Sequence, residues 1–236
     1  MKQSGTIMLE VLISIVVLAF GILGLASLQA YSLRAAQSSN LRSIAADLAS
    51  SMAEQIQTNR PKSLAATEAG LDSKYYGSNI VMPIPPNYAQ IKCEYEDTTD
   101  NYSCSKPSGY TPNSKTKTNS QTLAEQETSY WLNLVKASLP LGSNSDGTIK
   151  GGAIVCKDTS PDDGTSPVLD PTAADYVTNT GCISTTSAEY ENAPYVIKIW
   201  YEEQITKTEQ GSLSTDDNDN KDKNVRVLRR FSSSLL

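Results

Sequence analysis

A single carboxylate, Glu10, lies near the start of an otherwise uncharged apolar run, MLEVLISIVVLAFGILGLASL. No charged residue occurs from Val11 to Leu28, which as a helix is about the length that crosses the ~30 Å hydrocarbon layer of a membrane. A charged side chain deep in such a helix costs about 2.5–3.5 kcal/mol on insertion scales, so it is seldom kept without a partner. The chemistry that Glu10 predicts is therefore pairing with a cation.

Four cysteines form the second group with definite chemistry: Cys93, Cys104, Cys156 and Cys182. No pair is spaced as C-x-x-C, which argues against a thioredoxin-like motif or a compact zinc knuckle. An even number of cysteines beyond a membrane segment predicts disulfides in an oxidising compartment. Of the three possible pairings we favour Cys93–Cys104 and Cys156–Cys182, because each encloses a polar loop with little other means of ordering itself. Buried free thiols are the alternative.

The composition argues against most enzyme classes. There are no histidines, so Ser-His and Cys-His nucleophile pairs and the usual zinc or iron ligands are excluded. With 26 acidic and 20 basic side chains the net charge is −6, which does not favour nucleic-acid binding through bulk electrostatics. The sequence therefore predicts a protein without catalytic residues or cofactor and without a specific nucleic-acid partner.

One acidic stretch has the spacing of a calcium loop. Oxygen-bearing side chains alternate there: Asp216, Asn218, Asn220 and Asp222. However, Lys221 stands where an EF-hand turn needs glycine, and Val227 stands where the bidentate glutamate belongs. We interpret the stretch as a solvated hairpin tip and keep calcium binding as the weaker alternative.

One long helix with two different halves is predicted at the start of the chain, and it carries Glu10. Beyond the uncharged run, apolar residues continue at helical spacing: Leu41, Ile44, Leu48, Met52 and Ile56. Nothing breaks the pattern before Pro61, so we expect a helix from about Ile7 to Arg60, roughly 80 Å long at 1.5 Å per residue. Residues 6–29 would lie in the membrane, and residues 30–60 would pack one apolar stripe on a water-soluble head.

The head, residues 61–236, has the composition of a β-rich domain with one further helix. The candidate strands are Asn79–Pro83, Ile91–Tyr95, Ala153–Lys157, Tyr195–Glu203 and Val225–Ser232. The last two should form an antiparallel hairpin. A helix is expected at 123–139, with Leu123, Tyr130, Trp131, Leu134 and Leu139 as its apolar face and Pro140 as its stop.

The segments 98–120 and 158–190 have the composition of loops. Trp131, Tyr195, Ile197, Ile199 and Trp200 are the candidates for the core of the head. The predicted fold class is α+β, with a long N-terminal helix packed on an antiparallel β-sheet head.

The leader carries a family resemblance. Residues 1–5 end in Gly5, a glutamate follows five residues later, and a long apolar helix begins, so the chain resembles the class III leader of type IV pilins and pseudopilins. The resemblance implies that a prepilin peptidase cuts after Gly5, and that Thr6 becomes the new, N-methylated amino terminus. Thr6 stands where the family usually has phenylalanine. Glu10 matches the acidic position of the family.

Cleavage would supply the cation that Glu10 needs. A cut after Gly5 creates an ammonium at Thr6, and in a bundle of such helices Glu10 of one subunit can meet the Thr6 ammonium of a neighbour. Pairing in a low dielectric would favour one axial register between subunits. The alternative is a tolerated charge near the membrane edge, which the start of the helix stabilises modestly.

A second set of residues narrows the resemblance to PilV-type minor pilins. It comprises Arg42, Ala45, Leu48, Ala49, Met52, Ala53, Glu54, Ile56 and Asn59, together with a tryptophan-bearing helix ending at Leu139-Pro140 and a late strand containing Trp200. The resemblance implies a fold of the type IV pilin kind and a subunit that helps to prime and assemble type IV pili, with roles in adhesion, twitching motility and sometimes DNA uptake. The implied partners are other minor pilins, the major pilin and a tip adhesin.

The implied location is the inner membrane, crossed once, with the head in the periplasm and the assembled protein at the cell surface. Two other hypotheses account for some of the same sequence features. A pseudopilin of a type II secretion system would have the same leader and helix. A membrane-tethered periplasmic enzyme or binding protein is disfavoured by the absence of histidine and by the unbroken helix.

Overall fold

The computed structural model describes residues 4–59, 86–106, 118–190, 192–205 and 225–235. Its elements in chain order are α1 (Ser4–Asn59), a 3₁₀ turn (Tyr88–Gln90), β1 (Lys92–Glu96), β2 (Asn101–Ser105), α2 (Thr118–Ser138), β3 (Gly152–Lys157), α3 (Tyr176–Thr180), β4 (Tyr195–Ile205) and β5 (Val225–Leu235). The chain divides into two compact units, Met1–Ser43 and Ile44–Leu236. A long N-terminal helix together with antiparallel sheets confirms the predicted α+β class.

The predicted long helix is confirmed within three residues at its start and one at its end. It runs from Ser4 to Asn59, and Pro61 follows two residues later. In the second unit its last turns bury one stripe: Ala45, Leu48, Ala49, Met52 and Ile56. Leu48, Met52 and Ile56 confirm three of the five predicted stripe residues, and Ala45 and Ala49 complete the buried face, because residues three and four apart share a helix face. Leu41 and Ile44 are only partly buried.

Helix α2 supplies the partner of this stripe. The indole Nε1 of Trp131, which is 1% exposed, donates a hydrogen bond of 2.9 Å to the carbonyl of Leu48. Near the end of α1, the amide of Asn59 donates to the Glu127 carboxylate at 2.8 Å. The two helices are thus joined by polar contacts as well as by apolar packing.

Replacing Trp131 with phenylalanine should lower the stability of the protein by about 1–3 kcal/mol, because the change removes one buried hydrogen bond and leaves a small cavity. Thermal unfolding of the full-length protein in detergent, followed by near-UV circular dichroism, measures the effect. The matched control is Tyr130→Phe, since Tyr130 is adjacent in sequence but 68% exposed. Equal melting temperatures for the two variants would contradict the role of Trp131.

The buried face of α2 only partly matches the predicted one. Trp131 and Leu139, which directly follows the helix, are buried as predicted, but Leu123, Tyr130 and Leu134 are exposed. The other buried positions are Gln121, Ala124, Thr128, Leu132 and Val135. Two of these buried residues are polar, Gln121 and Thr128, and both have hydrogen-bond partners. Thr128 donates to the carbonyl of Ala124, and Gln121 accepts from the backbone of Asn87. The helix also begins five residues before the predicted start and ends, as predicted, before Pro140.

The larger sheet has the order β3-β4-β5 and is antiparallel throughout. The predicted hairpin of the last two strands is confirmed, with a continuous register from Tyr195 opposite Leu235 to Ile205 opposite Val225. β-Branched and aromatic residues dominate the first half of β4, which suits a strand that is buried on both faces.

The smaller sheet contains a strand that sequence reasoning placed in a loop. β2, Asn101–Ser105, has few β-formers, but it pairs with β1 so that Cys93 lies directly opposite Cys104. A disulfide joins these two cysteines, and a second joins Cys156 to Cys182. Both pairs are those favoured from the sequence, and no free cysteine remains.

The segment 158–190, which was predicted to be a loop, packs on one face of the larger sheet. We call this the loop face; its sheet residues include Ile154, Cys156, Lys198 and Trp200, which alternate with residues of the opposite face. The segment contributes Val168, Leu169, Ala173, Tyr176 and Cys182 to a shared apolar cluster. It contains only one short helix, α3, so its order comes from tertiary contacts rather than from local structure.

Two predictions fall on parts of the chain that the structure does not describe. The candidate strand Asn79–Pro83 lies outside the described residues. The weak calcium candidates also lie outside them: Asp216, Asn218, Asn220 and Asp222.

Candidate assembly surface on the amino-terminal helix

The first unit exposes an apolar surface that is continuous around the helix. Every side chain from Met8 to Gln37 is exposed, and the large apolar ones among them range from 43% exposed at Val16 to 77% at Met8. Soluble proteins rarely expose apolar patches of more than a few hundred Å². A surface of this kind is therefore suited to a lipid environment or to the faces of other apolar helices.

The helix is long and apolar enough to cross a membrane. Residues 11–33 carry no charge, which corresponds to about 35 Å of helix, slightly more than the ~30 Å hydrocarbon layer. The uncharged run is bounded by Glu10 at one end and by Arg34 at the other, with Tyr31 one turn inside. Aromatic and basic side chains are the residues that membrane–water interfaces favour.

This spacing lowers the expected free-energy cost of placing the Glu10 charge in a membrane. In a bilayer with Arg34 at one interface, Glu10 would lie about 36 Å away along the helix axis, at the opposite interface rather than at the centre. The insertion cost of its charge there is smaller than the value at the bilayer centre. The full cost arises only when Glu10 moves into a water-free environment, such as the interior of a helix bundle.

Glu10 has an exposed side chain. Its backbone carbonyl accepts a hydrogen bond of 2.7 Å from the Ser14 hydroxyl. Within the described residues, no basic side chain forms a salt bridge with its carboxylate. The carboxylate is thus available to a cation from outside the described chain.

The two residues of the predicted cleavage site lie in the same helix. Gly5 and Thr6 are part of α1, and Thr6 precedes Glu10 by four residues, about 6 Å along the axis. A new ammonium at Thr6 would therefore lie about one turn from the Glu10 carboxylate of its own chain. A neighbouring helix shifted along the axis by one turn would bring its ammonium level with this carboxylate. Cleavage and methylation remain predictions.

The head contains a buried ionic cluster that was not predicted from the sequence. Lys198 is 0% exposed, and its Nζ donates to Asp158 Oδ2 at 2.5 Å, to Asp163 Oδ1 at 2.7 Å and to the Thr180 carbonyl at 2.9 Å. Burial alone would raise the pKa of the Asp163 carboxyl, but hydrogen bonds from Lys198 and Ser160 outweigh it and hold the pKa below its usual value. The cluster attaches the segment 158–190 to β4.

A sequence signal for this cluster existed. Along β4, Lys198 shares the loop face with Val196 and Trp200, so a charged residue occupies a position that the pattern assigns to the interior. A lysine at such a position requires buried acceptors. Its two carboxylate partners lie 40 and 35 positions earlier, and no local pattern identifies them.

Two further side chains of the loop face hold the same segment. Arg230, opposite Trp200, donates to the carbonyls of Gly164 and Asp162. Ser232, opposite Lys198, donates to Asp162 Oδ1 at 2.9 Å. Arg230, one of the basic residues of β5, thus helps to hold the segment 158–190 on the sheet.

A second polar cluster joins three elements of the head. The hydroxyl of Tyr88 donates to Glu127 Oε2 at 2.5 Å, and the Asn59 amide donates to the same oxygen. Burial, and then the hydrogen bond to Glu127, raise the pKa of the Tyr88 hydroxyl well above its usual value, so it stays a donor. The end of α1, the 3₁₀ turn and α2 therefore meet at one carboxylate.

Within the described ranges, no group of three or more acidic or cysteine side chains is arranged to hold a metal ion. No family model, curated protein or solved structure matches this chain.

Proposed function

We propose that this protein is a minor pilin, a non-catalytic, membrane-inserted subunit that helps to prime and assemble a type IV pilus. The observation that carries the proposal is helix α1, whose residues 8–37 are exposed and largely apolar and whose later turns supply the core of a disulfide-bonded head. Such a helix can exchange lipid for the helices of neighbouring subunits without refolding of the head.

The assembly step uses Glu10 as a charge that needs a partner in a water-free bundle. Before assembly, Glu10 lies at the cytoplasmic interface, where water and headgroups solvate it. Once the helix leaves the membrane, an unpaired carboxylate in the bundle is costly, and the Thr6 ammonium of a neighbour removes that cost. Subunits out of register leave both charges unpaired, so the pairing selects one axial position.

The partners are those expected of such a subunit: other minor pilins, the major pilin and a tip adhesin, with a prepilin peptidase as the processing enzyme. The protein starts as a single-pass protein of the inner membrane with its head in the periplasm, and it reaches the cell surface on assembly. Two disulfides suit a head exposed to an oxidising compartment.

The amino terminus of the native protein tests this function. Mass spectrometry of protein isolated from sheared filaments should find a mature chain that begins at N-methylated Thr6. An assembled chain that still begins at Met1 would overturn the proposal. A membrane-tethered enzyme or binding protein would also keep residues 1–5 and would be missing from the sheared fraction.

A pseudopilin of a type II secretion system would pass the same test, so a second measurement separates the two assemblies. Deletion of the gene should remove surface pili and twitching motility while secretion of hydrolytic enzymes continues. Lost secretion with normal pili would assign the protein to the secretion system instead.

A further inference from the structure

The cluster around Lys198 brings an amine and a carboxyl group into contact in the interior of the head. Lys198 is 0% exposed, Asp158 is 1% exposed, and the distance from Nζ to Asp158 Oδ2 is 2.5 Å. Lys198 is the fourth residue of β4, which is the central strand of its sheet, and Asp158 directly follows β3, so strand pairing positions the backbone of both residues.

Two charges in this environment are held at a cost. Removal of an ammonium and a carboxylate from water carries a desolvation penalty that their attraction offsets only in part. Transfer of one proton from Lys198 Nζ to Asp158 Oδ2 across this contact gives a neutral amine and a neutral acid. A neutral amine in contact with a neutral carboxylic acid is the reactant pair for amide formation.

The surrounding groups match the needs of that reaction. The backbone N–H of Ser160 donates to Asp158 Oδ1 at 2.9 Å, where negative charge develops when an amine attacks the carboxyl carbon. Asp163 Oδ1 accepts from Lys198 Nζ at 2.7 Å, and Asp163 Oδ2 accepts from the Ser160 hydroxyl at 2.8 Å. The side chain of Asp163 is 45% exposed, so it can exchange protons with water. Fixed contact of two reacting groups is equivalent to a very high local concentration, on the order of 10⁵–10⁸ M.

We propose that Lys198 and Asp158 condense into an intramolecular isopeptide bond. One proton passes directly from the Lys198 ammonium to Asp158 Oδ2, and the Nζ lone pair attacks Cγ of Asp158, whose Oδ1 is held by the Ser160 N–H. Asp163 then removes a second proton from Nζ and passes it to Oδ2, and the C–Oδ2 bond breaks as water leaves. Nζ keeps the third proton as the amide N–H. No oxidant, reductant or co-reactant is needed.

The bond would join β4 to the residue that follows β3, two positions from the Cys156–Cys182 disulfide. A reducing environment opens a disulfide but leaves an amide intact. The isopeptide bond would thus keep the end of β3 joined to β4 under pulling force, even after the disulfide is reduced. This inference stands apart from the assignment as a pilin, since it depends only on the head.

Peptide mapping of the full-length folded protein, expressed without a prepilin peptidase and purified in detergent, tests the proposal. After reduction and alkylation, trypsin cleaves an unmodified chain into a peptide covering residues 158–198, because no lysine or arginine lies between Lys157 and Lys198. An amide on Nζ blocks cleavage at Lys198. We therefore expect a peptide covering residues 158–207 that is one water lighter than its sequence. The 158–198 peptide at full mass from folded protein would overturn the proposal.

One other reaction also loses water, and the same digest separates it. The Asp163–Gly164 sequence can cyclise to a succinimide, but this product leaves Lys198 open to trypsin. A 158–198 peptide that is one water lighter would therefore count against the isopeptide bond.

Matched variants test the role of Asp163. Asp163→Asn removes the proton relay and should slow bond formation by about a hundredfold, the scale of general acid–base catalysis. The control is Asp162→Asn, since Asp162 contacts Ser232 but not Lys198, and it should form the bond as the wild type does. Lys198→Arg should yield no modified peptide. Equal rates for the Asp163 and Asp162 variants would remove Asp163 from the mechanism.

Discussion

Replacement of Glu10 with glutamine should leave the protein in the membrane but exclude it from filaments. Glutamine keeps the size of the side chain and loses its charge, so the Thr6 ammonium of a neighbouring subunit would be buried unpaired. Loss of one partner of a buried ion pair costs about 3–5 kcal/mol, which corresponds to at least a hundredfold fall in incorporation. Immunoblots of the membrane fraction and of sheared filaments measure the two quantities separately.

Ser14→Ala is the matched control for this experiment. Ser14 lies one turn from Glu10 on the same helix, and its hydroxyl contacts only the backbone carbonyl of Glu10. This variant should insert and assemble at wild-type levels. If the Glu10 variant entered filaments as well as the Ser14 variant does, the charge would have no role in assembly. Loss of the Glu10 variant from the membrane fraction would instead assign the charge to insertion.

Replacement of Gly164 with alanine should destabilise the head by about 3–5 kcal/mol, through positive-φ strain and a backbone clash. Gly164 has φ = +90°, and a Cβ atom there would lie 2.2 Å from the carbonyl oxygen of Thr180. That oxygen also accepts from Lys198, so its displacement would disturb the buried ionic cluster. Thermal unfolding of the full-length protein in detergent measures the loss.

Gly147→Ala separates the two causes. Gly147 has nearly the same φ, +86°, but a Cβ atom there meets nothing within 4 Å. It should therefore show only the cost of a left-handed residue, about 1–2 kcal/mol. If both variants lost the same stability, the close approach of Gly164 to Thr180 would make no contribution to the stability loss.

The elements that were predicted correctly are those with a strong local pattern. An unbroken apolar and then amphipathic run predicts α1 almost to the residue, and β-branched residues predict β4 and its hairpin with β5. The cysteine pairs were also found, because each encloses a polar segment of the head. Of the candidate assembly surface, Glu10 and the apolar helix were evident from the sequence, since lipid-facing positions need no partner within the chain.

The misplaced elements are those whose local pattern is weak or ambiguous. The sequence of α2 contains two apolar stripes, one with Leu123 and Tyr130 and one with Trp131 and Val135, and contact with α1 selects the second. Strand β2 has little strand propensity and exists as the partner of β1.

The sequence by itself determined the long helix, the α+β class and the position of the lone carboxylate, because periodicity and the absence of charge act along the chain. Only the tertiary structure placed Lys198 beside Asp158 and Asp163, residues 35 to 40 positions apart. A buried charge has to be matched in three dimensions, and the chain positions of its acceptors depend on how the strands pair and how the segment between them folds back.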